Sequence, residues 1–431
     1  METKHASKTV RSGNARNVLI IGGGITGLTL ALSLHEAGVP CRVFEAAAEL
    51  KWLGVGINLL PHAVRELTEL RLAEHLERHA VVTREMCFYN RFGQFIYKEP
   101  RGRYAGYDWP QFSIHRGELH RVLVEAVRER LGSDAIALGH RCEALEQDGE
   151  RVTVRFAGRP SVRGSVAIAC DGVHSAVRRQ LYPDEGPPVY TGINMWRGVT
   201  RWPPYLSGES IVQCGWLDVG KIVVYPIGKE LDAQGRQLVN WIAEIRSPRN
   251  VQADWNLNGR LEDFLPTFAS FRFDWLDVAE MLRNAEVVLE YPMVDRDPLS
   301  RWSHGRVTLV GDAAHPMYPR GANGAAQGIL DARALAGCLA RERDAVAALK
   351  AYEDTRLAAA NQVVLASRST SGWLSPDTIL RVVHERTGDQ PFKRIEDVVT
   401  QEELAALMEK YKRVAGFERA ALSKRRSLVS P

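Results

Sequence analysis

Apolar and polar positions divide the chain into stretches of different period. The first is the run Asn17-Val18-Leu19-Ile20-Ile21, cut off by Gly22-Gly23-Gly24-Ile25-Thr26-Gly27 and followed by apolar residues 28–34 and a second short apolar run ending at Glu45. This order predicts a strand, a glycine turn, a helix and a second strand that ends in an acid. Helical spacing returns over residues 61–72, with Val64, Leu67 and Leu70 on one face, and over 115–130, with Leu119, Val122, Leu123 and Val127. Between them, 86–89 and 95–97 flank Asn90-Arg91-Phe92-Gly93 and predict a hairpin. After Glu150 come short strands at 152–156, 166–169, 193–199, 222–225 and 238–245, which suggest a sheet of its own inserted within the first fold. Residues 306–310 then read as one more buried parallel strand ending at Gly311-Asp312, and 324–339 as a helix. Helical patterns continue to the C-terminus, broken near Ser375-Pro376 and Gly388-Asp389-Gln390-Pro391.

The glycine turn carries the first chemical signal. Gly22 permits a tight turn, Gly24 lets backbone approach a pyrophosphate, Gly27 lets helix and strand pack closely, and the helix N-terminus faces the phosphates. Glu45 then suits a ribose hydroxyl. The competing reading is a loop that only turns tightly, and the strand–helix context with an acid at this distance favours the dinucleotide site.

Composition narrows the classes. A chain of 431 residues with 45% hydrophobic content is long enough for about two or three domains with real cores. A net charge of +4, with no basic stripe interleaved with aromatics, argues against nucleic acid. The six cysteines show no CxxC pair and no zinc spacing, and His115 and His120 are five apart, so free thiols and no metal are expected. Residues 1–16 are polar, read as a disordered tail without a signal-peptide core, and no apolar run reaches membrane-spanning length. A cytoplasmic protein is expected.

Two further segments join the glycine turn: Ala169-Cys170-Asp171-Gly172 running into a helix, and Gly311-Asp312-Ala313-Ala314-His315-Pro316-Met317-Tyr318-Pro319-Arg320-Gly321-Ala322-Asn323-Gly324. Strand ends of an open parallel sheet converge at its carboxyl edge, where ligands bind. With these three motifs in order, the chain from Asn17 to about Asn361 resembles the class A flavin-dependent aromatic hydroxylases, the family of p-hydroxybenzoate and salicylate hydroxylases, and is most similar to their phenazine-modifying branch. Further similar stretches are Leu53-Gly54-Val55-Gly56-Ile57-Asn58, Ser113-Ile114-His115-Arg116-Gly117-Glu118-Leu119, Met195-Trp196-Arg197-Gly198 and Tyr291-Pro292-Met293-Val294-Asp295.

The resemblance implies an α/β fold: a Rossmann-like, glutathione-reductase-like FAD-binding domain (17–85, 100–190 and 290–365), an inserted, mostly β-sheet substrate domain (86–99 and 191–289) and a helical C-terminal extension (366–431). It implies FAD held by Gly22, Gly24, Gly27, Glu45, Gly56, Arg116, Asp171, Asp312 and the loop Gly321, Ala322, Asn323 and Gly324, with NADH or NADPH as reductant. Pro319, Gly321 and Asn323 fall beside the reacting ring. The chemistry agrees: a reduced flavin carries negative charge, which the helix N-terminus opening near Asn323 stabilises. A flavin C4a-hydroperoxide that passes one oxygen atom of O2 to an aromatic or N-heteroaromatic ring must be kept from water, with Pro319 as a rigid wall.

Plainer roles compete at several positions. Asp312 suits a turn, Arg116 a helix surface, Asp171 a helix cap, and His315 a structural role. For the substrate, Trp196, Arg197, Tyr225, Trp241, Met293 and Tyr318 are candidates, although aromatics in a sheet are more often core. Arg197 suits a substrate carboxylate or an internal acid. Arg320 stands where the phenazine branch has an apolar residue, and suits an acidic substrate, the flavin or solvent. The segment after Ser367 finds no clear counterpart and suits a cover over the site, a dimer contact or local packing. The leading expectation is an NAD(P)H-dependent FAD monooxygenase, monomer or homodimer, acting on a small aromatic molecule and O2 without membrane or nucleic acid. A flavin oxidase or dehydrogenase, or a flavoprotein that only binds aromatic ligands, is the alternative; the halogenase signature WxWxIP is missing.

Overall fold

The strand Val18–Ile21 is buried at every position and pairs in parallel with Val166–Ala169 on one side and Cys41–Phe44 on the other. In this computed structural model, which describes residues 17–52, 54–247, 257–368 and 375–429, these strands centre a six-stranded sheet. Its order runs Ser303–His304, Val307–Leu309, Val166–Ala169, Val18–Ile21, Cys41–Phe44, Ile136–Ala137, parallel except for the edge pair Ser303–His304 and Val307–Leu309. The expected tail at 1–16, and Leu53 of one quoted motif, lie outside the described residues. Helices Ile25–Glu36 and Gly324–Arg341 pack against each other beside the sheet, so its central strands are apolar throughout instead of alternating.

That pattern corrects part of the expected inserted sheet. Val166–Ala169 is uniformly buried and belongs to the parallel sheet, while Val152–Phe156 forms a small antiparallel sheet with Cys142–Gln147 and Arg159–Gly164. The inserted sheet has eight strands, in the order Leu257–Asn258, Val287–Asp295, Val189–Trp202, Gln237–Arg246, Gly220–Pro226, Ser210–Trp216, Glu85–Tyr89, Phe95–Pro100. The expected hairpin supplies its last two strands. Val287–Asp295 pairs along Val189–Trp202, so this strand of the sheet runs across the expected boundary at 290.

One face of this sheet packs on the helices Leu265–Phe268 and Val278–Arg283. The other faces the FAD-domain side and the C-terminal helices Thr378–Thr387 and Gln401–Ala415, which bury Ile379, Leu380, Leu404, Met408 and Tyr411 with Met86, Tyr225 and Met293. Thr400 caps the second helix by accepting from Glu403 N at 3.2 Å, and Gly416 ends it in the left-handed region at φ 77°. The segment thus packs on the sheet's inner face. Among the described residues no helix is long and apolar enough to cross a membrane, and no cluster of three or more His, Cys, Asp or Glu could hold a metal.

Candidate active site

A cavity of about 900 Å³ runs from the glycine turn, past the ends of the parallel strands, to the inner face of the eight-stranded sheet. At the first end, the three motif glycines meet different surroundings. A Cβ on Gly22 (φ 105°) would lie 2.3 Å from Cys170 O, and one on Gly27 would lie 2.0 Å from Gly22 O. On Gly24 it would meet nothing within 4 Å, and Gly24 is in the cavity wall. Gly24 also precedes the helix Ile25–Glu36 without a side-chain cap, leaving first-turn N–H groups available to an anion. Glu45 is outside the wall: its Oε2 accepts from Gly23 N at 2.7 Å and its Oε1 from Ala47 N at 2.8 Å. His120, given no role from the sequence beyond the absence of a metal pair, donates to Gly23 O at 2.7 Å from the next helix. Burial lowers its pKa, which keeps the ring neutral.

Next along the wall, Arg116 opens the helix Arg116–Leu131, where His115 Nδ1 accepts from Gly117 N at 3.1 Å and Nε2 donates to Gly54 O at 2.9 Å. Asp312 is accessible from the cavity, yet protein surrounds that space, and the resulting desolvation raises its pKa while His315 and Arg116 pull it back. It makes no hydrogen bond to a described residue. Asp171 caps a helix and lies in the cavity wall. Oδ2 accepts from Ala176 N at 2.9 Å at the start of a helix, while Oδ1 is buried without a partner. Burial raises its pKa against its hydrogen bonds. His315 is structural: it meets Asp331 Oδ2 at 2.5 Å, and the same oxygen accepts from Gly311 N at 3.2 Å. Burial alone would raise the Asp331 pKa, but His315 and Arg356 hold it down to about 2.

The loop Pro319-Arg320-Gly321-Ala322 forms the middle of the wall, with positive φ at Gly321 (70°) and Ala322 (58°). Tyr411 of the C-terminal segment donates to Gly321 O, and a Cβ on Gly321 would fall 2.4 Å from the Tyr411 oxygen. Asn323 stands behind the wall and donates to Tyr411 Oη at 3.1 Å; its own Oδ1 is buried without a partner. From the sequence Tyr411 falls only within the helical patterns of the C-terminal segment.

Strand alternation decides the substrate end. Inward positions on the eight-stranded sheet are Lys221, Val223 and Tyr225, Ile242 and Glu244, Met195 and Arg197, and Leu289, Tyr291 and Met293. Trp196 and Trp241 are one residue out of phase with these. They pack with Phe264 on the outer face and do not line the cavity, contrary to expectation. Tyr318 is also absent from the wall. It points to Asp295, and burial together with that carboxylate raises its pKa. Arg197 lines the cavity, pairs with no acid among the described residues and donates to Gly56 O at 2.7 Å. Gly56 N in turn donates to Asn240 Oδ1 at 2.6 Å, and a Cβ on Gly56 would strike Ile227, Asn240 and Tyr225 within 2.7 Å.

A charged group at this end was not foreseen. Lys221 Nζ, 2% exposed, donates to Glu244 Oε1 at 3.0 Å and to Asp377 Oδ2 at 2.6 Å, and Arg320 Nε lies 3.8 Å from that Asp377 oxygen. Burial would lower the Lys221 pKa, but Asp377 and Glu244 raise it above its ordinary value. Lys221 shares the parity of Val223 and Tyr225, so a charge at an inward position was the available signal; Asp377 lies in no recognisable motif.

A parallel α/β sheet with an uncapped glycine turn, joined through one cavity to a second sheet, is the architecture of a dinucleotide-binding protein. The open space at Gly24, the orphaned Asp171 Oδ1 and the unpartnered Asp312 carboxyl fit a long polar cofactor. The sequence pattern of the FAD binding domain family matches residues 15–207 and 288–367. The chain belongs to this family, as an FAD-dependent aromatic hydroxylase of class A. It is 42% identical to the phenazine 1,6-dicarboxylic acid hydroxylase of Lysobacter antibioticus, over 82% of this chain and 89% of that protein. It is 34% identical to a 3-amino-4-hydroxybenzoate 2-monooxygenase of Streptomyces platensis, over 96% of this chain and 99% of that one. Most of the C-terminal segment therefore has a counterpart, which corrects the expectation. In fold, it superposes on Klebsiella pneumoniae HpxO complexed with FAD and uric acid with a TM-score of 0.73 at 23% identity, covering 95% of this chain and 97% of that one.

Proposed function

We propose that this chain uses NADH or NADPH to insert one oxygen atom of O2 into an aromatic or N-heteroaromatic ring of phenazine or benzoate size. The single cavity joining the glycine turn to the inner face of the eight-stranded sheet carries this reading. Named relatives acting on a phenazine dicarboxylic acid and an aminohydroxybenzoate support the ring class. Bound FAD supplies the redox centre that takes electrons from the nicotinamide and activates O2.

The chain's own residues bind, orient and exclude water. Gly24 and the N-terminus behind it take the pyrophosphate, Glu45 holds the glycine turn next to the ribose, and Arg116, Asp171 and Asp312 take polar groups along the chain of the cofactor. The backbone from Gly321 to Gly324 and the helix that follows offer N–H groups and a positive dipole end to a negative ring edge. Pro319 walls that region, and Asn323 with Tyr411 holds the loop in its left-handed turn. Tyr225, Met293 and Arg197 face the ring to be oxidised. The protein acts in the cytoplasm, as a monomer or homodimer, on free small molecules and not on nucleic acid or membrane.

The test is NADH and NADPH consumption by the purified holoprotein across aromatic and N-heteroaromatic acids, with hydrogen peroxide measured in the same vessel. Ring-stimulated consumption with little peroxide is the expected result. Consumption that no ring stimulates, or that yields stoichiometric peroxide with every ring, rejects the oxygen-insertion reading.

A further inference from the structure

We infer that Arg320 reads a carboxylate on the aromatic substrate and that Asp377, from the C-terminal segment, positions it; the inference rests on the ring-hydroxylase reading above. Arg320 lies in the cavity wall immediately before Gly321 and is 6% exposed. Its Nε is buried without a hydrogen-bond partner, and its side chain makes no hydrogen bond to a described residue. Its one ion-pair contact among the described residues, Asp377 Oδ2, is 3.8 Å away, and that oxygen already accepts from Lys221 at 2.6 Å. Lys221 also takes Glu244 at 3.0 Å. Lys221 therefore holds both carboxylates within bonding distance, and Arg320 is left with attraction but no acceptor.

A guanidinium presents five N–H donors in a planar fork, and burying it without acceptors is costly. A carboxylate fills two of those donors side by side, which a hydroxyl or ring nitrogen cannot do. The charge around this end favours the same ligand. Lys221 and Arg320 balance Glu244 and Asp377, Arg101 is paired with Glu99, and Arg197 is paired with no acid among the described residues. One positive charge is left over for an anion. Asp377 does not touch the ligand in this scheme; it holds the guanidinium against the wall and keeps the fork directed into the cavity.

The experiment titrates the holoprotein with matched rings of two sizes, phenazine-1-carboxylate against 1-hydroxyphenazine and 4-hydroxybenzoate against phenol, following perturbation of the flavin absorbance. In the ring size that fits, the carboxylated member should bind at least about ten-fold tighter. Arg320→Met should remove that preference while leaving FAD content and the neutral ring's affinity unchanged. Arg320→Lys, which keeps the charge but loses the fork, should retain part of it, and Asp377→Asn should reduce it with the neutral ring unaffected. The inference is overturned by wild-type protein with no preference in either pair, by a preference that survives Arg320→Met, or by Arg320 variants that release FAD or weaken both rings equally. If Arg320→Met does not fold, Arg320→Lys decides: its carboxylate preference should fall below that of the wild type, and an undiminished preference overturns the inference. The hydroxylase reading fails separately: carboxylate discrimination through Arg320 with no ring-stimulated NAD(P)H consumption keeps this site and rejects that activity.

Discussion

An added Cβ at Gly24 meets no heavy atom within 4 Å, and the backbone there sits at an ordinary negative φ of −77°. Gly24→Val should therefore leave the apoprotein within about 1 kcal/mol of wild-type stability and still block the cofactor's approach. The expected result is an unchanged apoprotein unfolding curve with the yellow colour lost on desalting; full flavin retention would contradict the pyrophosphate assignment. Gly27→Ala is the contrasting case, because its Cβ would collide with Gly22 O, and there the loss is one of folding. Asp312→Ala should resemble Gly24→Val, since that carboxyl faces the cavity without a described hydrogen-bond partner. FAD affinity should fall by about ten-fold or more, read by equilibrium titration of the apoprotein. Such contrasts show that the reason for each of the three glycines was legible in the motif, whereas the atoms each would strike were not: the clash partners Cys170 and Gly22 are set by how strand, turn and helix close on one another.

Element geometry separates residues that the sequence could only group. Trp196 and Arg197 are neighbours on one strand, but the pleat sends Trp196 to the Phe264 cluster and Arg197 to the cavity. Trp196→Ala should destabilise the protein by about 3–5 kcal/mol, the usual cost of emptying an aromatic core site. Tyr225→Phe, on the inward face, should change ring binding far more than the melting temperature. Thermal unfolding paired with ligand titration distinguishes the two. The C-terminal helix Gln401–Ala415 acts through one hydroxyl: Tyr411 bonds the Gly321 carbonyl and accepts from Asn323. Tyr411→Phe keeps the ring and loses those bonds, so the loop beside Pro319 loosens. The expected outcome is a larger share of NAD(P)H consumption ending as peroxide, with FAD retained.

Across the whole molecule, the buried pair His315–Asp331 ties the end of the last parallel strand to the helix Gly324–Arg341, and Arg356 secures it from the next helix. The Asp331 pKa is depressed from 3.8 to about 2, so its ionised form is the one the fold favours. The corresponding stability is fully present above about pH 4 and is lost as pH falls toward 2, amounting to about 2 kcal/mol. Unfolding measured across that window should show this loss in the wild type. Asp331→Asn should be less stable at neutral pH and show a smaller loss between pH 4 and 2. An identical pH dependence in both proteins would remove the assignment.

Local patterns determined the parallel-sheet motif, its glycine turn and the strand-rich insert, because each rests on residues adjacent in the chain whose period and turn chemistry are local properties. Gly22 to Gly27, Asp171-Gly172 and Gly311-Asp312 were readable for that reason. Tertiary structure alone decided which face of each strand reached the cavity, so Trp196, Trp241 and Tyr318 left the site while Lys221 and Glu244 entered it. It also brought Asp377 and Tyr411 to a loop some 56 and 90 residues earlier in the chain, at Gly321. Contacts at that separation depend on how two sheets and a terminal helix pack around shared apolar surface, and no period or spacing in a single sequence encodes the partner.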